Sequence, residues 1–191
     1  MATEVKLNGH FFGEIKMHVI TSEKVEDFTI NICHDPCPES PREWDNLGTI
    51  LYSSTKYKLG DVCVSGGVIP EEFEDEDNVI SLPVYAYIHS GILLSTAPFS
   101  CPWDSGQCGV IVVTKDRVRS EFGWKVITKK RREKIEELLR SEIEIFSKFI
   151  AGEVYGFEIV DKDGEHVDSC WGFYSEDEAL EAAKNNVPQN A

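Results

Sequence analysis

Residues 101–109 read Cys-Pro-Trp-Asp-Ser-Gly-Gln-Cys-Gly and residues 40–48 read Ser-Pro-Arg-Glu-Trp-Asp-Asn-Leu-Gly, so a Trp-Asp pair followed by turn formers is written twice. Each segment sets a large amphipathic ring, a carboxylate and an amide on residues that break regular structure. Loops of that kind carry function when a scaffold holds them. The candidate binding residues are therefore Arg42, Trp44, Asp45 and Asn46 in the first segment and Trp103, Asp104, Ser105 and Gln107 in the second. If the fold joins the two, Asp45 and Asp104 could share an oxygen-rich cation site or act as an acid and base. Alternatively, Trp44 or Trp103 could stack on a nucleotide base while Arg42 holds a phosphate. The plainer reading is that Asp and Asn cap turns while the rings plug the core. It predicts loops lying side by side, with Trp44 or Trp103 largely buried.

Thiols and imidazoles offer a second chemistry. Cys33 and Cys37 flank His34, and Cys101 and Cys108 flank the second Trp-Asp pair, so a zinc site can be drawn. The spacings, with three and six residues between the cysteines, fall outside the compact two-residue knuckle. A Cys101 nucleophile needs a base, and His89 could reach it from the strand end that precedes the loop. The plainer role for such a histidine is to close a turn. The chain contains no phosphate-binding Gly-rich loop, dinucleotide fingerprint, nucleophile elbow or His-Glu-x-x-His pair, which weighs against the common enzyme classes.

The elements that must position these residues follow from periodicity. Alternation marks strands at 16–20 and 28–33, with Phe28, Ile30 and Ile32 on one face. Pro36, Pro38 and Pro41 then force a loop. Short strands are expected in 48–54 and 61–69 and a solvated acidic turn at 71–77. Two strands should meet near His89-Ser90-Gly91, and Gly109–Thr114 fits a central strand. Residues 115–123 read as a short helix stopped by glycine. Thr128 can cap a long helix, in which Ile135, Leu138, Leu139, Phe146, Phe149 and Ile150 recur at helical spacing until Gly152. A hairpin about Asp163-Gly164 and a last short helix, opened by a Ser175/Glu178 capping box, complete the chain. This order predicts an α+β fold: a mainly antiparallel sheet packed by one long helix, with a C-terminal hairpin and short helix. The 191 residues fit one domain over 1–191, with a loose start over 1–12 and a tail over 186–191.

The sign of the charge is uneven. Thirty-four acids against 19 bases give −15, yet residues 115–134 hold nine bases and three acids, a net of +6, leaving −21 elsewhere. Such a field repels nucleic-acid phosphates and attracts cationic surfaces. The bases crowding the start of the long helix oppose its dipole. Acids elsewhere in the chain, or pairs such as Arg132 with Glu136, are expected to offset them, the alternative being an external anion. The start lacks a basic region followed by an apolar run, so the six cysteines are expected to be thiols in a cytoplasmic, host-cell setting.

The segments 40–49, 98–119 and 152–174 resemble a family of small proteins carried by bacterial and archaeal viruses, proviruses and plasmids. The resemblance spans about residues 28–174. It implies an accessory protein of a mobile element and supplies no established activity. In that family the position of Ile88 often holds an acid, which this chain lacks. The resulting expectation favours a binding protein over an enzyme: an acidic accessory protein that needs no cofactor and engages a host or viral macromolecule. Its partner would be basic, for instance a nucleic-acid-binding defence protein. A membrane partner or direct nucleic-acid binding is not expected. The alternatives are a metal-dependent hydrolase or nucleotide-processing enzyme built on both Trp-Asp loops, with a divalent cation at Asp45 and Asp104, and a protein that sequesters nucleotides.

Overall fold

The computed structural model describes residues 6–7, 10–11 and 18–188. In chain order the elements are β1 (Lys6–Leu7), β2 (His10–Phe11), β3 (Val19–Val25), β4 (Phe28–His34), β5 (Thr49–Tyr52), β6 (Val62–Cys63), β7 (Val79–Ile88), β8 (Ile92–Ser95) and β9 (Ser105–Thr114). There follow α1 (Lys115–Phe122), α2 (Lys129–Ala151), β10 (Tyr155–Val160), β11 (His166–Phe173) and α3 (Glu176–Asn186). The fold is α+β, and among the described residues every strand pair is antiparallel except β5 with β6. The loose start expected over 1–12 and the tail over 186–191 lie mostly outside the described residues, as does the first part of the strand expected at 16–20. Among the described residues no helix is long and apolar enough to cross a membrane.

The chain divides into two compact units, each with its own core. One comprises residues 1–39 and 152–191. Its four-stranded sheet runs β11-β10-β4-β3, and Ile30, Ile32, Phe157 and Ile159 meet Ala179 and Ala183 of α3. The hairpin between β10 and β11 turns where expected. The Asp161 carboxylate accepts the N–H groups of Asp163 and Glu165, both at 2.9 Å, and Gly164 takes a φ of 84°. Ser175 stands at the N-cap of α3 without a side-chain capping bond, so the expected capping box is not formed.

The other unit, residues 40–151, holds a five-stranded sheet ordered β6-β5-β9-β7-β8. β9 is central, as its apolar run predicts. α2 covers one face with Ile135, Leu139, Ile143 and Phe146, against Ile50, Ile80, Val84, Ile111 and Val113. The buried Ser147 hydroxyl accepts the Leu94 N–H of β8 at 2.8 Å. Helical spacing overstated one position and missed another: Leu138 is 37% exposed, whereas Ile143 is fully buried. Thr114 and Thr128 cap α1 and α2, and Gly123 ends α1 in the left-handed region at φ 64°.

β9 approaches β5 so closely at Gly109 that a Cβ there would lie 2.1 Å from the Leu51 carbonyl oxygen, whereas one at Gly106 would meet nothing within 4 Å. Gly109→Ala is therefore expected to destabilise by about 3 kcal/mol, the upper end of overpacking costs. Gly106→Ala should leave the urea midpoint nearly unchanged.

Candidate functional site

The first Trp-Asp loop is built as a structural clasp. A short 3-10 turn over Pro41–Glu43 aims Arg42 inward, where its side chain is only 9% exposed. Arg42 forks onto Asp61, Nε to Oδ1 at 3.0 Å and Nη2 to Oδ2 at 2.7 Å. It also donates to Glu142 of α2 at 3.0 Å and to the Gly48 carbonyl at 2.7 Å. Glu142 in turn accepts the N–H groups of Leu47 and Gly48, and Asp61 accepts that of Ile50. Burial works against the charge on Arg42, but hydrogen bonds to Asp61 and Glu142 outweigh it and raise its pKa. This guanidinium is spent on the protein itself, which corrects the expectation that Arg42 holds a ligand phosphate. Asn46 closes the turn by donating to the Pro41 and Trp44 carbonyls at 2.7 and 3.0 Å.

Asp61 and Glu142 have no local signal in sequence, because they lie 19 and 100 residues from the arginine they hold. Both partners of Arg42 were therefore missed.

The second loop is held differently. Asp104 lies one residue before β9; its carbonyl accepts the Ile88 N–H at 2.8 Å. The Ser105 hydroxyl bonds back to the Cys101 carbonyl, and Gln107 donates to Gly109 O at 3.3 Å. His89 Nδ1 stands 3.4 Å from Asp104 Oδ2, and Cys101 Sγ is 3.7 Å from the same oxygen. Imidazole and thiol thus both face the Asp104 carboxylate. Tyr87 stacks beside His89 at 6.3 Å between centroids and meets Phe99 at 5.8 Å. Tyr87 and Phe99 were not among the sequence candidates, although Phe99 lies two residues before the cysteine-bounded segment.

The two loops do not meet. β9 spans ten residues, about 30 Å at the usual strand rise. Asp104 lies at its start, whereas Asp45 faces Arg117, at 3.8 Å, just beyond its end. A shared cation site or an acid/base pair made of Asp45 and Asp104 is therefore ruled out by geometry. Among the described residues no three His, Cys, Asp or Glu side chains converge as metal ligands would. The expectation of a buried ring fails as well: Trp44 is 48% exposed and Trp103 is 91% exposed. The second loop closes through hydrogen bonds at Asp104 and Ser105, without its tryptophan as a plug.

At the Asp45 end of the sheet, the acidic segment forms two 3-10 turns, Glu71–Phe73 and Glu76–Asn78. All six of its carboxylates, Glu71, Glu72, Glu74, Asp75, Glu76 and Asp77, are exposed and none is in an ion pair among the described residues. The ridge is ordered, because the Asp75 side chain accepts the Asp77 N–H at 3.0 Å and the Lys115 ammonium bonds the Asp77 carbonyl.

All six cysteines are unpaired, as expected. Their environments differ. Burial, with the Glu158 charge behind it, pushes the Cys33 thiol up to about 11, whereas hydrogen bonds from Ser65 draw exposed Cys63 below its ordinary value. Comparisons with protein-family models, curated proteins and solved structures find no match.

Two outcomes follow from this geometry. Arg42→Ala leaves two part-buried carboxylates without their cation and should cost about 3 kcal/mol or more in urea denaturation, with Arg42→Lys recovering only part of it because an ammonium cannot fork. Brief alkylation of the native protein at neutral pH, read by peptide mass spectrometry, should modify Cys63 first and Cys33 last, since the thiolate is the reactive form.

Proposed function

We propose that this chain is a non-enzymatic accessory protein of a virus or mobile element that binds a basic host or viral macromolecule, with the loop at the start of β9 as its anchor. The observation that carries this reading is Trp103: its ring is 91% exposed on a loop tied down at Asp104 and Ser105. Water gains nothing from a large apolar ring held out on the surface, whereas a partner does. Tryptophan is enriched among residues that dominate interface energy. Asp104 beside that ring supplies the charge that a lysine or arginine side chain would meet, and the ring face attracts the same cation.

The rest of the charge supports a basic partner. Residues 1–39 and 152–191 carry 17 acids and 5 bases, against 17 and 14 over residues 40–151. The ordered ridge at 71–77 adds an exposed, unneutralised negative surface, suited to accelerating encounter with a cationic protein. Blocking a nucleic-acid-binding defence protein, by presenting carboxylates where it expects phosphates, is the form of this activity that fits the viral resemblance. The rival readings have less support: the hydrolase needs Asp45 and Asp104 together, and the nucleotide trap needs a free Arg42.

The test is affinity purification of the tagged protein from host cells, followed by native mass spectrometry with metal analysis. A stoichiometric basic protein should co-purify at low salt and be lost as salt rises, because exposed charges are screened within about 8 Å at physiological ionic strength. Trp103→Ala should weaken that complex by about 2 kcal/mol, roughly 30-fold in Kd. Reversing Glu71, Glu72, Glu74 and Asp75 to lysine should slow association without altering the urea midpoint. A stoichiometric nucleotide or metal, or a complex indifferent to Trp103→Ala, would overturn the reading.

A further inference from the structure

The basic segment between α1 and the start of α2 is not neutralised by the rest of the protein. Arg119 pairs with Asp116 at 2.7 Å, Arg132 with Glu136 at 2.9 Å, and Arg117 faces Asp45 at 3.8 Å. Lys125, Lys129, Lys130, Arg131 and Lys134 have no carboxylate within ion-pair distance among the described residues. The first turn of α2 contains no acid, so these charges also stand against the positive end of a 23-residue helix dipole. The expectation that internal acids offset the basic run therefore holds for three of its nine bases and fails for these five, while the ninth, Lys115, bonds the Asp77 carbonyl.

The segment is tied by ring and cation contacts as well as basic. Trp124 stacks on Phe122 with centroids 4.7 Å apart, the Arg131 guanidinium lies 4.8 Å over the Trp124 ring, and the Lys134 ammonium is 5.8 Å from the Phe122 ring. Arg131 also donates to the Val126 carbonyl at 2.7 Å. Two of the charges are thus positioned before any ligand arrives. Among them sits Val126, 63% exposed, on the bend that enters α2.

We infer that this surface is a second docking site, separate from the Trp103 loop, and that it takes an acidic protein segment with an apolar side chain beside its carboxylates. Charge complementarity requires an anion. Val126 favours a peptide over a phosphate backbone, since a phosphodiester has nothing to bury against an isolated valine. The Trp124 ring is already engaged by Phe122 and the Arg131 guanidinium, and the net charge of −15 opposes a long polyanion. A short acidic segment feels mainly the local charge, because the rest of the field is screened over about a Debye length.

The experiment titrates the purified full chain at low salt with three fluorescein-labelled probes: a Glu/Asp dodecapeptide with one central leucine, the same peptide with serine there, and a short DNA duplex. The leucine peptide should bind, the serine peptide several-fold more weakly, and the duplex more weakly than either. Lys129→Glu with Lys130→Glu should reduce leucine-peptide binding more than tenfold while raising the thermal midpoint, since acids replace bases at the helix start. That combination separates a docking role from a structural one, which would lower both. Val126→Asp should weaken the leucine peptide several-fold, and Lys56→Glu, elsewhere on the same unit, should leave it unchanged. The inference is overturned if the duplex binds more tightly than the peptides, if neither peptide binds, or if the Lys129/Lys130 variant binds as the parent does. None of these results depends on the partner proposed for Trp103.

Discussion

The Arg42 clasp is the constraint on which the five-stranded unit depends. One guanidinium joins the 40–48 loop, Asp61 before β6 and Glu142 of α2, at distances of 2.7 to 3.0 Å. Two carboxylates against one cation leave an excess negative charge, and the N–H groups of Leu47, Gly48 and Ile50 point into it. That completes the satisfaction a part-buried ion cluster requires, without which the desolvation of three charges would not be recovered. The clasp also presses Gly48 onto the core, where a Cβ would come within 2.6 Å of Leu139 and 2.7 Å of Ile111. The start of β5, the position of α2 on the sheet and the course of the first Trp-Asp loop are consequently one coupled arrangement.

With that end of the sheet fixed, β9 acts as a spacer. It separates the Arg42 clasp and the acidic ridge from the His89–Asp104–Trp103 cluster, so the two Trp-Asp segments have different work despite their shared vocabulary. In the first, the arginine before the tryptophan turns inward and the residues around it serve packing. In the second, no such cation exists, the backbone closes on its own hydrogen bonds, and the ring projects into water. The difference lies in what each loop has nearby to bond with, an effect of position in the fold.

Charge is distributed in the same divided way. The unit built from both termini holds most of the net negative charge, while residues 40–151 are close to balanced and contain both the acidic ridge and the unpaired cations before and within the first turns of α2. Local surfaces of opposite sign on one chain can address partners of opposite sign, and the proposed binding roles differ accordingly: an aromatic anchor next to a carboxylate at one place, a basic surface around an exposed valine at another.

Much of the fold was legible in the sequence. The period-two runs, the Asp-Gly turn, the threonine caps and the glycine stops are local signals, and each acts within a few residues of the element it starts or ends. The antiparallel α+β class, the central place of β9 and most of the inward face of α2 followed from them. The site was legible only as a set of residue types. Which tryptophan is covered, whether Asp45 meets Asp104, and whether Arg42 is free for a ligand depend on partners up to 100 residues away. The spacing of α2 likewise could not tell Leu138 from Ile143, because the edge of a helix's buried stripe is set by what the sheet and the 40–48 loop place beside it. Backbone hydrogen bonding and side-chain periodicity make local structure a property of the sequence, whereas burial and ion pairing belong to surfaces that exist only once distant segments have met.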